Sequence, residues 1–137
     1  MNLAIMGYGV VGSGVARLLE QNNASITARS MQPQMRLKYI LDLRDFPGDP
    51  FQALVVHDFN RIVSDPDVGI VAETMGGLHP AFEYVKACLE HGKSVVTANK
   101  ELVAAMGFEL MQIAREHNVN FLFEASVGGG IPIIRPL

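Results

Sequence analysis

A doubly wound α/β sheet is the fold class this sequence predicts, and three observations predict it. Short β-rich runs alternate with amphipathic helical patterns, the runs are apolar throughout, and a glycine-punctuated turn joins the first run to the first helix. Runs without polar alternation read as strands buried on both faces, and their separation by helices forces parallel pairing through right-handed crossovers. The 137 residues suit one domain, and 49% apolar types are enough to bury a core.

The strand candidates are residues 3–6, 39–43, 70–72, 94–97 and 121–123. After the first, Val11, Val15, Leu18 and Leu19 form one apolar side with Arg17, Glu20 and Gln21 opposite, as a crossover helix packed on a sheet requires. Phe82, Val85 and Leu89 make a second stripe opposite Glu83, Lys86 and Glu90. Val103, Met106, Leu110 and Ile113 make a third opposite Glu109, Gln112 and Glu116. Residues 22–35, polar and carrying Pro33, and residues 44–58, holding Pro47-Gly48-Asp49-Pro50, read as loops or irregular structure.

Composition removes several function classes. Eleven Lys and Arg stand against 14 Asp and Glu for a net charge of -3, and the cations never form a run, so no footprint for nucleic acid exists. No apolar run approaches the roughly 18–20 residues of a membrane span, and the N-terminus lacks the pattern of a signal peptide, so the expected compartment is the cytoplasm. Cys88 is the one cysteine, which excludes an intramolecular disulfide and predicts a buried core thiol. His57, His79, His91 and His117 have no metal-ligand spacing and read as surface or satisfied residues.

Gly7-Tyr8-Gly9-Val10-Val11-Gly12 is a G-x-G-x-x-G between a strand and a helix. The first glycine permits the tight turn, the second lets backbone approach a pyrophosphate, and the third lets helix and strand pack closely. A mere tight turn is the alternative. This setting favours dinucleotide binding and the Rossmann-like form of the doubly wound sheet. At the second strand end, Asp42 suits the 2′-hydroxyl of NAD and Arg44 the 2′-phosphate of NADP, unless Arg44 is a solvated loop residue paired with Asp42 or Asp45.

Three further segments fall at strand ends, where open α/β sheets bind ligands. Glu73-Thr74-Met75-Gly76-Gly77 either leaves room for a ligand at its glycines or is a plain loop. In Thr97-Ala98-Asn99-Lys100-Glu101, Asn99 suits an N-cap, and Lys100 at the positive end of a helix is electrostatically misplaced. Lys100 is then either a proton donor to a carbonyl accepting hydride or a surface lysine. Glu124, before Gly128-Gly129-Gly130, either helps hold a hard cation, binds substrate, or precedes a hinge.

These segments resemble homoserine dehydrogenase in its N-terminal nucleotide-binding domain. The matching stretches are GYGVVGSGVARLL from Gly7, LDLRDF from Leu41, VGIVAETMGGLHPA from Val68, HGKSVVTANKELVA from His91 and FEASVGGGIPII from Phe123. The resemblance implies NAD(P)-dependent, reversible reduction of aspartate 4-semialdehyde to homoserine, on the route to threonine and methionine. It implies that Gly7, Gly9, Val10, Val11 and Gly12 hold the cofactor, that Arg44 faces a 2′-phosphate of NADP, that Thr74 and Gly76 lie beside the cofactor, and that Lys100 transfers the proton. It also implies a sodium ion held by Glu124, Val127, Gly129 and Ile131.

Family members continue into a substrate-binding and dimerising domain, so residues 1–137 are expected to be an NAD(P)-binding fragment, inactive alone, of a homo-oligomer. The competing readings are another small NAD(P)-dependent semialdehyde or imine reductase, and a non-catalytic nucleotide-sensing Rossmann module that has no need of Lys100.

Overall fold

The computed structural model describes residues 2–27, 36–124 and 133–134. In chain order it contains β1 (Asn2–Met6), α1 (Val10–Thr27), β2 (Arg36–Leu41), a 3-10 turn (Gln52–Leu54), β3 (Val55–Val56), α2 (Asn60–Val63) and β4 (Val68–Glu73). There follow α3 (Ala81–Glu90), β5 (Ser94–Thr97), α4 (Lys100–Glu116), β6 (Phe121–Glu124) and β7 (Ile133–Ile134). The strands form one sheet in the order β3-β2-β1-β4-β5-β6-β7. Every pairing is parallel except the last, in which β7 runs antiparallel to β6.

The expected burial on both faces is realised residue by residue. Leu3 and Ile5 point to the side that carries α1, where they meet Ala16, Ile40 and Ala72. Ala4 and Met6 point to the other side, where Val71, Val85, Val95, Leu102, Leu110 and Phe121 close a larger core under α3 and α4. Each large side chain so buried is worth about 1.5–3 kcal/mol relative to exposure. Cys88 is fully buried in that core, and burial pushes its thiol up to about 12.

Three expectations are corrected. Residues 22–27 continue α1 instead of forming a loop, and residues 28–35 lie outside the described residues. The stretch 44–58 is not wholly irregular: Val55 and Val56 pair with Ile40 and Leu41 to add a strand too short to show a period. The buried side of α1 is Gly12, Val15, Ala16 and Leu19, whereas Val11 and Leu18 are 50% and 58% exposed. Close approach at Gly12 turns the small residues of the helix toward the sheet. Among the described residues no helix is long and apolar enough to cross a membrane.

Candidate functional site

The direction of winding reverses at β1, whose neighbours are β2 and β4. A crevice therefore opens beyond the carboxyl end of β1, the place where such sheets take ligands. It is occupied by a cleft of about 440 Å³ whose lining includes Gly7, Gly9, Asp42, Arg44, His57 and Thr74.

The three motif glycines separate into two kinds. Gly7 has φ +97°, and a Cβ there would lie 2.9 Å from the Met75 Cα. A Cβ on Gly12 would lie 2.1 Å from the Gly7 carbonyl oxygen and 3.0 Å from Thr74 Oγ1. A Cβ on Gly9 would meet nothing within 4 Å. Gly7 and Gly12 are thus demanded by the fold, while Gly9 faces open space that a phosphate group can enter. The Ser13 amide donates to the Gly9 carbonyl at 2.9 Å as the first bond of α1, so the amides of Val10, Val11 and Gly12 before it have no intrahelical partner.

Neighbouring strands hold this turn. The Gly7 amide donates to the Leu41 carbonyl at 2.8 Å, and the Thr74 hydroxyl donates to the Gly7 carbonyl at 2.6 Å. Tyr8 sends its amide to Asp42 Oδ2 at 2.9 Å and its hydroxyl to Asp49 Oδ1 at 2.8 Å. Its ring meets Phe46 edge-on with centroids 4.9 Å apart. Burial, then the hydrogen bond to Asp49, pushes the Tyr8 hydroxyl up to about 12. The Pro47-Gly48-Asp49-Pro50 segment is in this way latched to the glycine turn, a contact no local pattern announced.

Asp42 follows β2 directly. Arg44 grips it with Nε on Oδ1 and Nη2 on Oδ2, both at 3.0 Å, and donates its amide to Oδ1 at 2.9 Å. These bonds, the guanidinium's first, pull Asp42 down to about 2 against the opposing effect of its desolvation. The Arg44 side chain remains 65% exposed at the cleft, with its guanidinium 5.1 Å from the Phe46 ring centroid. His57 is satisfied, as expected, with Nδ1 2.7 Å from the Asp42 carbonyl and Nε2 3.0 Å from Asp45 Oδ1, yet it also lines the cleft. The hydrogen bond to that carbonyl shifts its ring upward from its ordinary value.

Beyond β4 and β5 the construction differs. Asn99 Oδ1 accepts from the Leu102 amide at 3.1 Å and caps α4, as its position predicted. Lys100 opens the helix and is exposed; like Val10, Val11 and Gly76 it does not line the cleft. Glu73, which sequence reasoning passed over, is completely buried among these segments. The signal for it is an acid closing the otherwise apolar strand Val68-Gly69-Ile70-Val71-Ala72. Glu124 ends β6, while Val127, Gly129 and Ile131 of the expected sodium set lie outside the described residues. Among the described residues no group of three or more His, Cys, Asp or Glu could hold a metal ion.

Comparison with known proteins gives this arrangement a context. Residues 7–124 match the family model for the NAD-binding domain of homoserine dehydrogenase. Homoserine dehydrogenase of Lactococcus lactis is 36% identical over 143 residues, covering 100% of this chain and 33% of that protein. Its counterpart in Mycobacterium leprae is 40% identical over 141 residues, covering 100% of this chain and 31% of that protein. The crystal structure of the S. aureus homoserine dehydrogenase at pH 6.0 superimposes with a TM-score of 0.85 and 36% identity, over 96% of this chain and 35% of that one. The chain spans about a third of the length of the curated relatives it matches.

Proposed function

The chain belongs to the family of homoserine dehydrogenase NAD-binding domains, and from that premise we propose that it is the cofactor-binding part of an NAD(P)-dependent enzyme interconverting aspartate 4-semialdehyde and homoserine. The observation that carries this reading is the empty space at Gly9, beside the first turn of α1 and inside the cleft at the reversal point of the sheet. Open space at a glycine that directly precedes a helix N-terminus fits a pyrophosphate.

Each residue then has a task. Gly7 and Gly12 bring β1 and α1 close enough to aim the first-turn amides, and Val10 and Val11 flank the phosphates. Thr74 holds the carbonyl of Gly7, and Gly76 gives backbone access beside the nicotinamide end. Asp42 suits a ribose 2′-hydroxyl, and Arg44, whose bonds to Asp42 keep it beside the cleft, suits a 2′-phosphate. A bound nicotinamide supplies or accepts the hydride. Lys100 gives a proton to the carbonyl oxygen as aldehyde becomes alcohol and takes it back in reverse.

In this reading residues 1–137 are one cofactor-binding domain of a cytoplasmic, homo-oligomeric biosynthetic enzyme. The substrate is held largely by residues outside this stretch. The sodium set Glu124, Val127, Gly129 and Ile131 is carried by the resemblance alone and enters no step. The test is calorimetric titration of NADH and NADPH into the full-length protein and its Gly9→Val variant, beside homoserine oxidation. Binding and turnover lost together in a folded variant uphold the reading; undiminished affinity in Gly9→Val removes it.

A further inference from the structure

Glu73 is a carboxylate with no exposure at the end of an apolar strand, and both its oxygens face donors. Oε2 accepts from the Met75 amide at 2.9 Å, the Gly76 amide at 3.3 Å and Asn99 Nδ2 at 3.4 Å. Oε1 accepts from the Thr97 hydroxyl. That hydroxyl oxygen accepts from the Asn99 amide at 3.0 Å, and Asn99 Nδ2 also donates to the Gly77 carbonyl at 2.6 Å. One side chain therefore ties the end of β4, the turn through Gly76 and Gly77, the end of β5 and the N-terminus of α4.

Burying such a group is costly, and apolar replacements of buried polar networks are often no less stable, so stability alone is a poor account of it. What the network achieves is placement. Gly76 and Gly77 both take φ +77°, a turn that would otherwise move freely, and Asn99 precedes Lys100 directly. We propose that Glu73 is the positioning residue of the nicotinamide half of the site, clamping the 74–77 turn to the α4 N-terminus so that Lys100 and the reacting ring meet in register. The proposal rests on the dinucleotide reading above. It concerns the half of the site that an adenosine fragment does not touch.

The distinguishing probe is ADP-ribose, which carries the adenosine and pyrophosphate but no nicotinamide. In the full-length protein, Glu73→Gln keeps the shape and replaces one acceptor with a donor. Asn99→Ser keeps a capping oxygen but removes the amide that reaches Glu73 and Gly77, and so serves even where Glu73→Gln fails to fold. Misplacement of reacting groups predicts that kcat for homoserine oxidation falls about 10- to 100-fold, with the Kd for ADP-ribose within about threefold of the parent. Retained kcat overturns the proposal, and so does ADP-ribose affinity that falls in step with kcat. A parent protein that binds no ADP-ribose instead refutes the dinucleotide reading itself, before any variant is compared.

Discussion

The two sides of the crevice are built by opposite means. On the β1–α1 side the site is an absence of side chains: Gly9 opens onto empty space and Val10 stands 90% exposed at the helix end. On the β4–β5 side it is a packing of them, with Glu73, Thr97 and Asn99 all buried and bonded to one another. The first arrangement suits a ligand whose charge is fixed and needs only backbone donors. The second suits a reacting end, where placement to a fraction of an ångström decides the rate.

The largest expected effect lies on the second side. Lys100→Ala in the full-length protein should lower kcat about 10²- to 10⁴-fold, the size of a general-acid contribution, while cofactor affinity stays within a few-fold of the parent. Steady-state kinetics beside a cofactor titration measure both. Unchanged turnover would make Lys100 a surface lysine and remove it from the proton transfer. Loss of affinity in proportion to rate would make it a binding residue and erase the contrast between the two sides.

Next comes the contrast within the first side. Gly12→Ala must move either the Gly7 carbonyl or the whole of α1, since its Cβ would come within 2.1 Å of that oxygen. A loss of about 3 kcal/mol, at the upper end for overpacking, is expected in chemical denaturation. Gly9→Ala has nothing to displace, so it should leave stability near the parent's and weaken only dinucleotide binding. If both glycines behaved alike, the division into a fold glycine and a ligand glycine would fail.

That division also explains what was legible in the sequence. Apolar runs, amphipathic stripes and the G-x-G-x-x-G are local signals, and they specify β1, α1, β4, α3, β5, α4 and β6, whereas the reversal at β1 emerges only from the strand order. For Glu73 the local signal is only an acid closing an apolar strand; its role was not legible because Thr97 and Asn99, which join it to β5 and the cap of α4, lie 24 and 26 residues away. The Tyr8–Asp49 latch is hidden for the same reason, its two ends lying 41 residues apart. The α1 stripe was misjudged because hydrophobicity favoured Val11 and Leu18, while steric access at Gly12 decided which side turned inward.

Arg44 sharpens the comparison from the adenosine end. Its guanidinium is shared with Asp42, so Arg44→Ala removes the cation proposed for a 2′-phosphate and bares a carboxylate beside it. NADPH should bind about 10- to 100-fold more weakly, the scale of a charge-assisted contact. NADH, whose 2′-hydroxyl suits a freed Asp42, should bind as well as before or slightly better. Calorimetry with both cofactors decides it, and equal losses would place Arg44 away from the 2′ position.

The smallest effect is a matter of slope, and it compares opposite edges of the sheet. At the carboxyl edge Arg44 pulls Asp42 down from 3.8 to about 2. At the amino edge Lys38, first, and then Tyr39 hold Asp65 below its ordinary range, through bonds of 2.6 and 2.7 Å. A carboxyl group whose folded value is depressed adds stability above its unfolded value and loses it as pH falls toward the folded one. Thermal stability of the full-length protein should therefore decline as pH drops from about 4 toward 2, where unfolded carboxylates protonate before Asp42 does. Arg44→Ala should flatten that decline only partly, because the Tyr8 amide still reaches Asp42 and the Asp65 cluster is intact; adding Lys38→Ala should flatten it further. Solvent-exposed partners keep both effects small. A profile that Arg44→Ala leaves as steep as the parent's would mean that Asp42 is held by the Tyr8 amide of the glycine turn rather than by the arginine.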